Sequence, residues 1–201
     1  MFLSSSYWNN RYKTDLFAWD IGHVSTPLKE YFDHLTNKNI RILIPGAGNS
    51  YEAEYLFEKG FKNITVLDFA SEPLTNIKQR CPDFPHQQLV QQNFFDHIGQ
   101  YDLIIEQTFF CAIDPKLRNA YAKHMHELLD PKGKLVGVLF DTEFDKDGPP
   151  FGGNKEEYHN YFKSYFDFKV FEACYNSIEP RKGRELFINL TKRVTSSVVE
   201  K

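Results

Sequence analysis

The sequence predicts an α/β domain with a mostly parallel sheet, helices on both faces and an antiparallel hairpin at its C-terminal end. Three observations predict it. Apolar runs of strand length alternate with helical patterns from residue 41 to about residue 166, the order of consecutive βαβ units. The last two strand-like runs, "FKVFEACYN" and "RELFINLTK", are joined by "SIEPRKG" with no helix between them, so they can pair only antiparallel. Finally, 201 residues suit one sizeable core better than two.

An aromatic N-terminal segment that holds both tryptophans, Trp8 and Trp19, comes first. "STPLKEYFDHL" then places Leu28, Tyr31, Phe32 and Leu35 at helical spacing, with Ser25 or Thr26 as N-cap and Pro27 in the first turn. "RILIP" reads as a buried strand and "SYEAEYLFEKG" as a helix closed by Gly60. Strand "NITVLD", helix "SEPLTNIKQR", a weak strand near "HQQLVQQ" and strand "YDLIIEQ" follow. Helix "PKLRNAYAKHMHELL", turn "DPKG", strand "KLVGVLF", a loop from Asp141, helix "KEEYHNYFKSYF" and the hairpin complete the core. The domain core is expected over 38–193, with 194–201 as a loose tail.

Composition excludes several classes. A net charge of -3 gives no general basic surface for nucleic acid. No apolar run approaches the roughly 20 residues that span a bilayer, and the start lacks a signal-peptide pattern, so the expected location is the cytoplasm. Cys81, Cys111 and Cys174 are odd in number and widely spaced, which predicts reduced thiols and neither a disulfide framework nor a metal site. A small-molecule substrate and a monomer or weak dimer are expected, with no nucleic-acid or membrane partner.

The chemistry should gather at the turn after "RILIP", because ligands of open α/β sheets sit beyond the carboxyl ends of strands where strand order reverses. Gly46 and Gly48 let the backbone approach a ligand, and the next helix presents free N–H groups. A dinucleotide site wants G-x-G-x-x-G, but the turn reads G-A-G-N-S-Y with Tyr51 in the third glycine's place. Glu52 and Glu54 in the first helical turn would also repel a pyrophosphate. Asp68, ending the next strand, is placed to accept both ribose hydroxyls of an adenosine, a feature shared by NAD and S-adenosylmethionine. Tyr55 to Lys59 spells Y-x-x-x-K, but it lies within the helix behind the turn and is read as coincidence.

Several separated stretches, "YWNNRYKTDLFAWDIGHVSTPLKEYF", "ILIPGAGNSYEAEYL", "VLDFA", "NFF", "YDLIIEQTFFCAI", "LLDPKGKLV", "GPPF" and "PRKGRE", resemble the thiopurine S-methyltransferase family of class I S-adenosylmethionine-dependent methyltransferases, thiol and halide methyltransferases included. The resemblance runs from about residue 7 to 192. It implies a Rossmann-like, seven-stranded sheet with one antiparallel strand, and S-adenosylmethionine as methyl donor, leaving S-adenosylhomocysteine. It implies that residues 1–37 cover the cofactor with Trp8, Tyr12 and Trp19, and that Gly46, Ala47 and Gly48 lie beneath its methionine portion. Asp68 matches the ribose acid. Asn93 and Phe94 match an adenine-flanking pair, usually Asp-Phe, so Asn93 keeps an acceptor and loses the charge. Glu106 and Gln107 match the acid and following residue at the end of the fourth strand, where Arg or Tyr is common at the second place.

Other readings of the same residues stand beside these. Trp8 and Trp19 could simply pack an arm on the domain. Phe109 and Phe110 read as core rather than ligand contacts. His124 and His126, two apart on a helix, face different ways and make no metal pair. Arg181 and Lys182 are either solvated turn charges or an anion-binding pair.

Expected chemistry is in-line methyl transfer to a small soft nucleophile: a thiol, thiopurine, thiocyanate or halide. A thiol with a pKa of about 8.5 needs little help to ionise and the anions need none, so no dedicated base is required. Glu106, Gln107, Arg181 and the loop from Asp141 to Phe151 are the candidates on the acceptor side. The rivals are an NAD-dependent oxidoreductase and a catalytically silent S-adenosylmethionine-binding protein.

Overall fold

The structure, a computed structural model, describes residues 3–14, 19–145 and 147–194; the expected tail lies outside them except for Val194. The chain runs α1 (Ser5–Lys13), α2 (Thr26–Asp33), β1 (Arg41–Pro45), α3 (Tyr51–Glu58), β2 (Asn63–Asp68), α4 (Ser71–Arg80), β3 (Leu89–Gln91) and β4 (Tyr101–Gln107). Then come α5 (Arg118–Leu128), β5 (Leu129–Phe140), α6 (Lys155–Phe162), β6 (Phe166–Ala173) and β7 (Glu185–Lys192). The sheet order is β3-β2-β1-β4-β5-β7-β6. All pairings are parallel except those of β7, which runs antiparallel between β5 and β6. The predicted hairpin is therefore present, and its second strand is the one that docks on β5.

Strand order reverses between β1 and β4, which fixes where a ligand should lie. Successive residues of a strand point to opposite faces, and β1 shows the division. Ile42 and Ile44 pack with Leu28, Phe32, Leu56 and Leu74 from α2, α3 and α4, whereas Leu43 packs with Tyr121 and Met125 of α5 and Phe162 of α6. With both faces covered, "ILIP" of β1 and "LIIE" of β4 are buried without interruption, as inner parallel strands are.

Helix α3 ends as its sequence predicts. Gly60 adopts φ +86°, and its N–H and that of Phe61 donate to the carbonyls of Phe57 and Leu56, the paired bonds of a Schellman closure. Ser25 is the N-cap of α2, but its Oγ donates to Gln107 Oε1 at 3.0 Å instead of capping the helix.

The structure departs from expectation in four places. The N-terminal segment forms α1, which has no fully buried residue and so no apolar stripe to reveal it. "DPKG" does not precede the strand: it is a bulge inside β5, between the pairs Tyr101–Leu129 and Leu103–Lys134, with Lys132 at φ +68°. Helix α5 starts at Arg118 because 115–117 form a 3-10 turn. Helix α6 stops at Phe162, and Phe166 already belongs to β6. Among the described residues no helix is long and apolar enough to cross a membrane.

Candidate active site

A cavity of about 620 Å³ opens at the carboxyl ends of β1, β2, β3 and β4, a volume in the usual range for drug-sized ligands. Its floor is the turn from Gly46 to Tyr51. Asp68 and Phe69, Gln92 to Phe95, and Gln107 to Phe109 line it from the next three strand ends, and Trp8, Tyr12 and Trp19 to Ile21 line it from the N-terminal segment.

Gly46 sits at φ +56°, and a Cβ there would lie 2.0 Å from the Phe109 ring. Only glycine allows this close passage. Gly46→Ala is expected to destabilise the protein by roughly 2–4 kcal/mol through overpacking and left-handed backbone strain. A drop in Tm of about 5–10 °C, read by circular dichroism, should accompany loss of ligand binding. The rest of the turn is clamped from α4: Asn76 donates to Asn49 Oδ1 at 2.8 Å, Arg80 bonds the Asn49 carbonyl and the Glu54 carboxylate, and its guanidinium lies 4.3 Å from the Tyr51 ring. Tyr51, where a dinucleotide turn has glycine, is thus wedged in place. Ser50 belongs to the cavity lining, and its buried Oγ has no hydrogen-bond partner among the described residues.

Asp68 accepts the Gly48 N–H at 3.3 Å and the Ala70 N–H at 2.9 Å, tying the ends of β1 and β2 together. Burial pushes its carboxyl up to about 6 despite these donors. Glu52, also on the lining, is raised by burial and accepts the Ser25 N–H at 3.1 Å. Asn93 and Phe94 both line the cavity. The Asn93 Oδ1 is engaged by the Phe95 N–H at 3.2 Å, and Phe94 packs edge-on against Phe95, Phe109 and His124.

At the end of β4 the two neighbours part. Gln107 faces the cavity, whereas Glu106 is fully buried and absent from the lining. Glu106 accepts the N–H groups of Phe109 (2.7 Å) and Phe110 (3.0 Å) and the Tyr121 hydroxyl, and burial raises its pKa to about 7. It holds the turn that carries Phe109. Phe110 is core as expected, but Phe109 is only partly buried and lines the cavity.

Arg181 is not brought to the cavity and is neither a solvated charge nor an open anion site. It is buried, paired with Glu185 at 3.3 Å, and its guanidinium bonds the Trp19 carbonyl. Lys182 beside it is exposed and pairs with Glu179. From the loop after β5, Pro149 and Pro150 reach the lining while Asp141 accepts the Lys155 N–H. Arg118, which sequence reasoning passed over, anchors this loop: buried beneath it, it donates to the carbonyls of Gly152 (2.8 Å) and Phe151 (3.3 Å) and pairs with Glu157. His124 and His126 contact different groups, Phe94 and Phe166 respectively, and the described residues contain no cluster able to hold a metal ion. Cys111 lines the cavity, but burial drives its thiol up to about 12, so it stays protonated.

In the part of the lining that comes from the N-terminal segment, Trp8 packs edge-on against Trp19 (5.6 Å) and Tyr12 against Trp19 (5.8 Å). Helix α1 is fastened to the domain by Asn9, whose Oδ1 accepts the N–H groups of Ser71 (2.9 Å) and Glu72 (3.0 Å). Ala70, the residue before α4, cannot cap it, so Asn9 satisfies its first donors from outside.

Comparison with known proteins agrees with this geometry. The sequence pattern of the thiopurine S-methyltransferase family matches residues 3–195. A probable thiol methyltransferase 2 of Arabidopsis thaliana is 27% identical, covering 90% of this chain and 83% of its own. Thiocyanate methyltransferase 1 of Brassica oleracea is also 27% identical (89% and 81%), and a thiopurine S-methyltransferase of Nitrosospira multiformis 22% (84% and 85%). In fold, the chain is similar to the 1,6-didemethyltoxoflavin-N1-methyltransferase of Burkholderia thailandensis, solved with S-adenosylhomocysteine, at a TM-score of 0.71, 17% identity and coverage of 96% and 88%. With almost its whole length matched, the chain belongs to the thiopurine S-methyltransferase family and is an S-adenosylmethionine-dependent methyltransferase.

Proposed function

We propose that this cavity binds S-adenosylmethionine and transfers its methyl group to a small soft nucleophile, a thiol or a related sulfur or halide acceptor. The observation that carries the proposal is the meeting, in one cavity, of the Gly46–Gly48 turn, the buried Asp68 carboxylate and Gln107 from three adjacent strand ends. The residues fit the cofactor: Asp68 accepts the ribose hydroxyls, the unpaired Ser50 Oγ serves a polar group of the methionine portion, and Asn93 and Phe94 flank the adenine. When bound, S-adenosylmethionine supplies an already activated methyl group. The protein's part is to align the acceptor and exclude water, and alignment alone can contribute about 7–11 kcal/mol. Residues 1–37 act as the cover, with Trp8, Tyr12 and Trp19 over the ligand, on a core of 38–193.

Gln107 stands at the boundary between donor and acceptor, with Glu106 behind it as support. Arg181 acts at a distance, holding the Trp19 backbone. The acceptor is a small molecule, met in the cytoplasm by a monomer or weak dimer.

Titration calorimetry with S-adenosylmethionine, S-adenosylhomocysteine and NADH tests the reading: both adenosyl compounds should bind and NADH should not, and the reverse order would sink it. Asn9→Ala should weaken S-adenosylmethionine binding about fivefold, since the lost cap contributes ~1 kcal/mol. Trp8 and Trp19 fluorescence during titration reads the change; unchanged affinity would detach α1 from the site.

A further inference from the structure

We propose, resting on the methyl-transfer reading above, that the acceptor is an uncharged apolar thiol and that the site selects against inorganic anions such as thiocyanate and iodide. The cofactor contacts proposed above occupy the ends of β1, β2 and β3, which leaves the β4 side of the cavity for the acceptor. On that side Phe109, Ala112, Ile113, Leu117, Pro149 and Pro150 present apolar surface to the cavity, beside the polar Gln107, Thr108 and Asp114. Leu117 is 42% exposed at its rim, an apolar side chain left open where an apolar ligand would cover it.

Among the described residues the acidic and basic side chains of the lining are of one kind: four carboxylates, Asp20, Glu52, Asp68 and Asp114, and neither Lys nor Arg. Its one imidazole, His23, is exposed, with Nδ1 2.7 Å from the Val24 carbonyl. The two guanidinium groups around Trp19 are turned to other work: Arg181 pairs with Glu185 and the Trp19 carbonyl, and Arg11 lies 5.2 Å from the Trp19 ring. A cleft lined by one sign of charge concentrates the opposite sign and repels its own. This lining attracts the cationic methyl donor and opposes a second, anionic ligand.

In the transfer, the acceptor sulfur forms its new bond to the methyl carbon as the donor's carbon–sulfur bond breaks. That electron pair stays on the donor's sulfur, and the thiol proton passes to water at the open rim.

The test compares kcat/KM for butane-1-thiol, sodium thiocyanate and potassium iodide, with S-adenosylhomocysteine release as readout and donor binding measured separately by calorimetry. The wild type should favour the thiol by at least about tenfold, and Leu117→Lys, a cation on the rim, should raise thiocyanate turnover about tenfold while lowering that of the thiol. Thiocyanate or iodide used as well as the thiol by the wild type would overturn the selectivity and leave methyl transfer standing. Donor binding without transfer to any acceptor would overturn both.

Discussion

Asp68→Ala should reduce affinity for S-adenosylmethionine about 100-fold. A hydrogen bond to a charged group contributes about 1.5–3 kcal/mol, and the proposal gives Asp68 two ribose hydroxyls. Allowing for water that replaces part of the loss, about 3 kcal/mol is at stake, or two decades in Kd. Calorimetry reads this directly, and unchanged affinity would remove the ribose from Asp68. The same residue sets a pH dependence. Burial raises its pKa from 3.8 to about 6 in the ligand-free protein, and the ionised form is the better acceptor. Affinity should therefore be flat above pH 6 and fall about tenfold per unit below it, a limb that Asp68→Asn should erase.

Stability follows the opposite sign. Because its folded pKa is raised, Asp68 binds its proton more tightly when folded, so its contribution is fully present below about pH 4 and lost as pH rises through about 6. The cofactor compensates where the carboxylate is charged. The rise in Tm on adding S-adenosylmethionine should be larger at pH 7.5 than at pH 5.

Glu106→Ala should be the more damaging change to the fold. It orphans three donors inside the core, the N–H groups of Phe109 and Phe110 and the Tyr121 hydroxyl, each at about 1–3 kcal/mol. A loss of about 3–5 kcal/mol lowers Tm by roughly 10 °C in a chain of this size. Because the carboxylate lies behind Phe109, surviving protein should show a raised acceptor KM with little change in cofactor Kd. Glu106→Gln distinguishes positioning from acid–base chemistry: its carbonyl still accepts the two N–H groups and its amide can donate to Tyr121. Turnover should persist, far above the roughly 10²–10⁴-fold loss that removing a general base brings. Loss on that scale with an unchanged Tm would return Glu106 to the chemistry.

Most of the framework was legible because local pattern and tertiary context agree. Helix α4 falls on "SEPLTNIKQR", as its buried Pro73, Leu74 and Ile77 and its terminal lysine and arginine foreshadow. The turn after β1, the acid ending β2 and the hairpin could be read for the same reason. What escaped depends on distance. Helix α1 is fastened by hydrogen bonds to residues about 60 positions away, and its half-buried aromatics serve a cavity rather than a core. Glu106 and Gln107 are adjacent letters, yet a one-residue step along a strand turns one into the interior and the other toward the ligand. In a strand covered on both faces, no alternation tells which is which. Arg181 meets Trp19 across 162 positions, and no local pattern signals that pairing. Arg118 offered one faint signal, an arginine on the apolar side of its helix.

A crystal structure with S-adenosylhomocysteine tests the account most directly. It should place both ribose hydroxyls within ~3 Å of the Asp68 carboxylate, the amino-acid end over the Gly46–Gly48 turn near Ser50 Oγ, and the sulfur toward Gln107 and Phe109. A nucleoside bound elsewhere, or a ribose turned away from Asp68, would contradict it.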